Sequence, residues 1–385
     1  YKQEVTTEMR IGFDGKRAVQ NFTGLGNYSR YVADILCHFY PENDYVLYAP
    51  KKRENKRMNL LTGQYRQLTL AYPATSFWKK LSSLWRVWGI TSQLEKEGIE
   101  LFHGLSNELP LNIHKSRIKS IVTIHDLIFL RYPQYYQSID RKIYTYKFRK
   151  ACENADKIIA ISECTKRDIT RYFNIPDDKI EVVYQGCDVS FTHPVTEEKK
   201  EEVRKKYQLP DHYILNVGSI EERKNILAAV QALPMLPQHI HIVIVGRRTG
   251  YTKKVEQFIK DNGLGERVHI ISNVPFNDLP AFYQSAEIFV YPSRFEGFGI
   301  PIIEALYSGI PVVAATGSCL EEAGGPDSIY VNPDDITGLA DAFKQIYSNS
   351  DKRKNMVEKG REFAKRFSEK QQSEEIINIY KKLIR

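Results

Sequence analysis

Two glutamates eight positions apart, Glu296 and Glu304, lie within the stretch SRFEGFGIPIIEALYSGIP at 293–311. Ile288 to Tyr291 reads as a buried strand and Glu296 to Ile300 as a turn. Pro301 fits a first helical turn because its φ is already set, and Gly309 stops the helix. In such a strand-loop-helix unit, Gly297 and Gly299 let a ligand approach the backbone, and the free N–H groups of the first helical turn face an anion. The two carboxylates can then hold hydroxyl groups on either side of that anion. A phosphate flanked by two polyols describes a nucleotide sugar.

A second charged loop, Gly218-Ser219-Ile220-Glu221-Glu222-Arg223-Lys224-Asn225, follows the apolar run YILNVG and precedes a helical pattern. Arg223 offers a planar fork and Lys224 a compact charge, which together suit a diphosphate. In the first half, Phe22-Thr23-Gly24-Leu25-Gly26-Asn27-Tyr28 separates the first strand from the first helix. It resembles a dinucleotide phosphate loop only loosely, since position 29 is Ser29 where a third glycine would be needed; the plain alternative is a tight strand-to-helix turn. His125-Asp126 ends the strand-like run SIVTI, where His125 can bond a sugar hydroxyl or a developing charge, or can be a satisfied structural residue beside a capping Asp126. His103-Gly104 falls at a comparable strand end.

These loops need strands to hold them, and the chain supplies two sets. RIGFDG, DYVLYA, IELFHG, SIVTIHD, DKIIAIS and KIEVVYQ alternate with helical patterns in the first half, including Asn27 to Phe39. YILNVG, HIHIVIVG, VHIIS, EIFVYP, PVVAA and SIYVNP do so in the second. Such alternation predicts an α/β protein of two Rossmann-like, doubly wound domains with mostly parallel sheets. The expected division is 9–190, a linker at 191–210 around HP and EEKKEEVRKK, 211–366, and a helix at 367–385 packing back on the first domain. Open α/β sheets bind ligands beyond the carboxyl ends of their strands, so the expected active site is a cleft between the two domains.

Bulk properties agree with a two-domain globular protein: 385 residues, 42% hydrophobic and 26% charged. The formal charge of +8 resides in residues 1–195, where 29 Lys and Arg face 21 Asp and Glu. That surface suits anionic lipid, an acidic or pyrophosphate-bearing substrate or nucleic acid, or is an ordinary solvated face, and charge alone does not choose among them. The five cysteines are too dispersed for a disulfide framework or a zinc site. No apolar run approaches the roughly 20 residues that span a bilayer, so a cytosolic protein is expected. The residues before Met9 lack pattern and read as an extension outside the fold. From Ser76 to Ile90, Trp78, Leu81, Trp85 and Trp88 interleave with Lys79, Lys80 and Arg86. This stripe reads as a core-facing helix or as one lying on a membrane surface beside a lipid-linked acceptor.

Taken together, EGFG with Glu304, GSIEERKN, TGLGNYSR and IHDL resemble the retaining GT-B glycosyltransferases of family four. The likeness runs nearly the whole chain from Met9 and also takes in ISECTKRDI at 161–169, YQGCD at 184–188 and GRRTGY at 246–251. FDGKRA with TGLGNYSR and HD is most similar to the mannosyltransferase branch. The resemblance implies that Glu296 binds donor-sugar hydroxyls near the anomeric carbon and that Glu304 holds the ribose. Gly297, Phe298, Gly299 and Ile300 would meet the sugar and distal phosphate through backbone, with Gly218 on the same donor side. Arg223 and Lys224 would neutralise the leaving diphosphate, Gly26 would give a backbone N–H, and His125 would touch the transferred sugar. Asn273-Val274 would contact the base. Cys187 departs from the small aliphatic residue usual in that motif, a change expected to affect packing.

The activity so implied moves a hexose from a nucleoside diphosphate sugar, with GDP-mannose the favoured donor, to a glycan or lipid-linked saccharide with retained configuration. A UDP-sugar-dependent transferase and a nonhydrolysing sugar-nucleotide epimerase are the alternatives. Two cations and oriented N–H groups would stabilise the departing diphosphate, individual donors of this kind contributing roughly 3 kcal/mol. No metal is expected to be needed, since the matching loops hold no D-x-D cluster. Nucleic acid is not an expected partner, and the basic first domain is compatible with peripheral contact at the inner membrane face.

Overall fold

The computed structural model describes residues 8–22 and 24–384. Residues 1–7 of the extension before Met9, Thr23 of the TGLGNY loop and Arg385 therefore lie outside the described residues. Two units emerge: residues up to Gln185 joined by the helix Glu369–Ile384, and Gly186–Ser368.

Unit 1 is built on seven parallel strands: β1 (Arg10–Asp14), β2 (Asp44–Tyr48), β3 (Leu68–Ala71), β4 (Leu101–Gly104), β5 (Lys119–Ile124), β6 (Lys157–Ala160) and β7 (Ile180–Val182). Their order is β3-β2-β1-β4-β5-β6-β7, with Ile11 opposite Tyr45 on one side of β1 and opposite Leu101 on the other. Central strands read as unbroken apolar runs because helices cover both faces of the sheet. The edge strand β3 is the one the sequence pattern did not show. LTLA is only four residues long, and Thr69 faces out while Leu68 is buried.

Unit 2 has six parallel strands: β8 (Tyr213–Val217), β9 (His241–Val245), β10 (Val268–Ile271), β11 (Ile288–Tyr291), β12 (Val312–Ala315) and β13 (Ile329–Val331). Their order is β10-β9-β8-β11-β12-β13. Consecutive strands run outward from β8 to β10, and the chain then returns to lay β11 against the other side of β8, pairing Ile214 with Ile288. This reversal is the switch point of a doubly wound sheet, where the loops leaving two neighbouring strands diverge and open a crevice at their carboxyl ends. In unit 1 the same reversal falls between β1 and β4.

The helix Glu197–Tyr207 belongs to unit 2, where Lys199 and Lys206 both pair with Asp278. The helix Gly24–Phe39 starts three residues before the expected Asn27, because Gly24, Leu25 and Gly26 are already helical. The helix Glu369–Ile384 inserts Ile376, Ile377, Ile379 and Tyr380 into the core of unit 1, among Phe13, Val32, Leu36 and Leu101. Fully burying an aliphatic or aromatic side chain contributes roughly 1.5–3 kcal/mol, so this helix is a major part of that core.

Candidate functional site

The crevice of unit 2 is bounded by the loop leaving β8, which carries Arg223 and Lys224, and the loop leaving β11, which carries Glu296. Although Lys224 and Glu296 are 72 positions apart in sequence, they and Arg223 meet. Arg223 Nη1 lies 2.9 Å from Glu296 Oε2, and Lys224 Nζ lies 3.1 Å from Glu296 Oε1. All three are largely buried, with side-chain exposures of 16%, 17% and 13%. Burial alone would raise the Glu296 pKa, but Lys224 and Arg223 outweigh it and hold the carboxyl at about 2. Glu296 raises both cations in return. Arg223, Lys224 and Glu296 together carry one net positive charge, with the half-exposed Glu221 3.7 Å from Arg223 Nη2 at the rim.

Further groups fix the cluster. The hydroxyl of Tyr291, the last residue of β11, accepts from Lys224 Nζ at 3.1 Å and donates to Glu296 Oε1 at 3.2 Å, and Lys224 also lies over its ring. Arg223 also donates to the Phe295 carbonyl. Asn225 adopts a left-handed conformation, and its amide donates to the carbonyls of Pro292 and Pro333, tying the β8 loop to the β11 and β13 loops. From beneath, the Cys319 thiol lies 3.0 Å from the Glu296 carbonyl and 2.9 Å from the Phe298 carbonyl. Gly299 has φ of 128°, a value that strains any residue with a Cβ, and it leads directly into the helix Ile300–Ser308. Pro301 stands in the first turn of that helix and Gly309 ends it in a left-handed conformation.

Glu304 lies one turn into the same helix and faces a different environment. Tyr283 donates its hydroxyl to Glu304 Oε2 at 2.5 Å. Burial lifts the Glu304 pKa to about 7, the Tyr283 hydrogen bond opposes this, and the charge of Asp188 adds to it. The two glutamates are thus shifted in opposite directions within one loop and helix. Glu296 is held ionised, while Glu304 changes charge near neutrality.

Of the remaining candidates on unit 2, Gly218 closes β8 and its amide donates to Val245 O. A Cβ there would meet the Lys224 side chain at 3.3 Å, so the bare glycine lets Lys224 lie across the strand end. Gly297 and Ile300 are partly buried, whereas the Phe298 ring turns inward against Phe367. Asn273 sits exposed in a left-handed conformation just beyond β10, with Val274 half-buried beside it.

On unit 1, Gly26 lies in the first turn of the helix Gly24–Phe39. A Cβ there would fall 2.0 Å from Asn21 O, so glycine is dictated by close backbone approach. His125 is buried with both ring nitrogens engaged: Nε2 donates to Leu105 O at 2.9 Å, and Nδ1 accepts from Gln185 Nε2 at 3.2 Å. Burial lowers its pKa to about 4, so it is neutral at physiological pH. Asp126 Oδ1 accepts from the Ile128 amide, a capping contact. His103 is buried between Tyr380 and Thr123, inside the core of unit 1.

Sequence reasoning missed Tyr291, Tyr283, Asn225 and Cys319. Tyr291 offered a signal, a hydroxyl ending an otherwise apolar buried strand. Tyr283 and Cys319 offered none, because their partners lie 21 to 23 positions away with no pattern in between. Among the described residues, no group of three or more His, Cys, Asp or Glu side chains is placed to hold a metal ion.

Residues 197–363 match the family described as Glycosyl transferases group 1, and residues 29–191 match Glycosyltransferase Family 4. The O-antigen chain mannosyltransferase B of Escherichia coli is 30% identical over 289 residues, 74% of each chain. The O-antigen chain mannosyltransferase RfbU of Salmonella typhimurium is 29% identical over 58% of this chain and 60% of its own. Among solved structures, a glycosyltransferase from Rickettsia africae superposes with a TM-score of 0.78 at 20% identity, covering 99% of both chains. Anabaena HepE, solved with UDP and glucose, gives 0.76 at 17% identity over 98% of this chain and 100% of its own.

Proposed function

The chain belongs to the family 4, or group 1, glycosyltransferases and is a hexosyltransferase of GT-B fold, and from that premise we propose that it transfers mannose from GDP-mannose to a saccharide acceptor with retention of anomeric configuration. The observation that carries the reading is the Arg223–Glu296–Lys224 cluster at the β8/β11 switch point. The likeness to mannosyltransferases supports the choice of sugar. The acceptor is a glycan or lipid-linked saccharide, met at a membrane face by peripheral contact through the basic first unit.

In the proposed reaction, the bond from the anomeric carbon to the distal phosphate oxygen breaks, and its electron pair stays with the diphosphate. The acceptor hydroxyl oxygen attacks that carbon from the same face and passes its proton to a phosphate oxygen. Arg223 and Lys224 stabilise the growing negative charge without reorganising, because Glu296, Tyr291 and the Phe295 carbonyl already orient them. Glu296, held ionised, accepts from donor-sugar hydroxyls, and Glu304 accepts from the ribose. Gly297, Gly299 and Ile300 present backbone to the sugar and distal phosphate, and Asn273 and Val274 to the base. On unit 1, Gly26 is assigned a backbone N–H contact, and His125, neutral and with both ring nitrogens bonded to Leu105 and Gln185, is assigned a positioning role beside the transferred sugar. No metal ion is assigned to the reaction.

A thermal-shift panel of GDP, UDP and ADP with their sugars tests the donor. A ligand present at 100 times its dissociation constant stabilises by about 2.7 kcal/mol. A selective response to GDP and GDP-mannose is expected; selectivity for UDP-sugars would replace the donor, and acceptor-free conversion of the donor to an epimer would replace the reaction.

A further inference from the structure

The stretch Gly246-Arg247-Arg248-Thr249-Gly250-Tyr251 leaves the end of β9 and has no part in the reaction described above. Because β9 lies between β8 and β10, its loop fills the carboxyl edge between the loop that carries Arg223 and Lys224 and the one that carries Asn273 and Val274. Neighbouring strands are about 4.8 Å apart, so a ligand reaching from the first of those loops to the other must cross the end of β9. The three loops are fastened to one another. The Gly218 amide donates to Val245 O at 2.9 Å, the Ile220 amide to Arg247 O at 3.0 Å and the Gly246 amide to Ile271 O at 3.0 Å. Ser272 Oγ donates to Gly246 O at 2.7 Å, and the Thr249 hydroxyl donates to Ile220 O. A Cβ on Gly246 would fall 1.8 Å from Gly218 O, so only glycine allows this approach. The backbone of Arg247 is therefore held from both sides.

The two arginines of the loop part company. Arg248 pairs with Glu256 and so turns back over the helix Thr252–Asp261. Arg247 turns toward the β8 loop, where its Nη2 lies 3.8 Å from Glu221 Oε1, while Glu221 Oε2 lies 3.7 Å from Arg223 Nη2. Ser219 Oγ donates to Glu221 Oε1 at 2.6 Å and fixes the carboxylate. Glu221 thus stands between the diphosphate-binding cluster and Arg247. The Arg247 side chain is 78% exposed against 16% for Arg223, so it reaches out over the edge rather than into the sheet. This order of charges decides what Arg247 can hold. A phosphate brought to it would also meet the Glu221 carboxylate, which offsets the guanidinium charge. The planar fork of N–H donors remains, and it suits a neutral edge with two adjacent acceptors. Guanine offers that edge in O6 and N7. Adenine pairs the N7 acceptor with an amino donor, and uracil has O4 alone.

We propose that Arg247 reads the nucleobase of the donor, its guanidinium fork donating to O6 and N7 of guanine, with Glu221 and Ser219 as the positioning residues that hold the fork in place. The proposal deepens the reading above and rests on it in one respect, that the donor lies along these loops with its diphosphate at Arg223 and Lys224 and its base at Asn273 and Val274. Backbone groups at Asn273 and Val274 can fix where a base lies. A side chain with a two-donor fork selects which base it is.

The test is calorimetry on the full chain with GDP, IDP, 7-deaza-GDP, UDP and inorganic pyrophosphate. IDP keeps O6 and N7 and should bind like GDP, whereas 7-deaza-GDP, which lacks the N7 acceptor, and UDP should bind roughly tenfold or more weakly, the discrimination that one bidentate contact gives. R247A should lose roughly tenfold in GDP affinity and leave UDP and pyrophosphate unchanged, which also shows that the variant is folded. R247K keeps the charge without the fork and should lose the same preference. E221A should lower the ratio of GDP to 7-deaza-GDP affinity severalfold without weakening pyrophosphate. Equal affinity of the wild type for GDP and 7-deaza-GDP, or a guanine preference that survives R247A, overturns the proposal and leaves the donor reading intact. So does an equal loss of GDP and pyrophosphate affinity in R247A, which would make Arg247 a phosphate ligand. A wild type that prefers UDP rejects the choice of donor and the proposal with it. Guanine selectivity that depends on Arg247 in a protein that transfers no sugar leaves the subsite standing and rejects the reaction instead.

Discussion

Glu296 and Lys224, on loops that leave neighbouring strands of one sheet, share an ion pair of 3.1 Å that Arg223 completes from the other carboxylate oxygen. A carboxylate between two cations competes with any diphosphate that those cations are meant to bind. Glu296→Gln should therefore abolish measurable transfer while leaving GDP affinity equal to or tighter than wild type, as isothermal calorimetry would report. Without ligand the variant should be less stable by about 3–5 kcal/mol, because two largely buried cations lose their counter-charge. The sign with pH follows from the low Glu296 pKa. Its ionised form stabilises the fold above about 4.5, and that stabilisation is lost as pH falls toward about 2.

Lys224→Ala and Arg223→Ala remove charge stabilisation that grows as the diphosphate leaves. Each should lower kcat on the order of 10²–10³-fold, the loss typical of one preorganised donor. Tyr291→Phe keeps both cations but removes the hydroxyl that orients Lys224, so a smaller fall of roughly tenfold is expected, mainly in kcat. Full turnover by Lys224→Ala in a steady-state assay would reject the assigned role.

Glu304 titrates near neutrality, so donor binding should depend on pH. With its pKa raised to about 7 it is protonated below that value, and only the carboxylate can accept from two ribose hydroxyls. Affinity for GDP should rise between pH 6 and 8 and level off above, and Glu304→Gln should flatten that profile. Fold stability runs the other way. A carboxyl whose pKa is raised on folding contributes most below about 4.5 and loses that contribution as pH rises through about 7, so Glu304→Gln should be relatively more stable than wild type at pH 8. Melting curves at pH 5 and pH 8 check this.

Cys319 holds the backbone of the Glu296 loop through its thiol. Cys319→Ser retains a donor to the Glu296 and Phe298 carbonyls and should stay within about twofold of wild type. Cys319→Val preserves the volume and removes the donor, leaving buried carbonyls unsatisfied at a cost of about 1–3 kcal/mol. The KM for the donor should then rise about fivefold or more with kcat less affected, and a parallel fall in both parameters would reduce Cys319 to a packing residue.

What the sequence disclosed depended on how local each signal was. Twelve of the thirteen strands announced themselves as apolar runs, and Pro301 and Gly309 bracketed their helix correctly, because each signal lies within a few residues. The short edge strand at Leu68 was lost because a half-exposed tetrapeptide has no alternation to detect. The ligand edge was predictable from strand-loop-helix order, which is why Arg223, Lys224 and Glu296 could be listed together before their contact was seen. Their direct pairing was not legible, nor was the Tyr283–Glu304 hydrogen bond that accompanies the shift in the second glutamate. The Ser76–Ile90 stripe shows the same limit: helical spacing placed Trp78, Leu81, Trp85 and Trp88 on one side, but the helix is interrupted at Leu81 and at Trp85–Gly89, so Trp85 is buried while Leu81 and Trp88 are exposed.

The helix Glu369–Ile384 belongs to unit 1, although all of unit 2 intervenes in the chain. Tyr380 bonds to His103 across 277 positions, and Ile376, Ile377 and Ile379 fill the same core. On the ribosome, unit 2 can therefore close before unit 1 has the residues to complete itself. Unit 1 must wait, partly formed and with apolar surface uncovered, for a segment translated after all of unit 2.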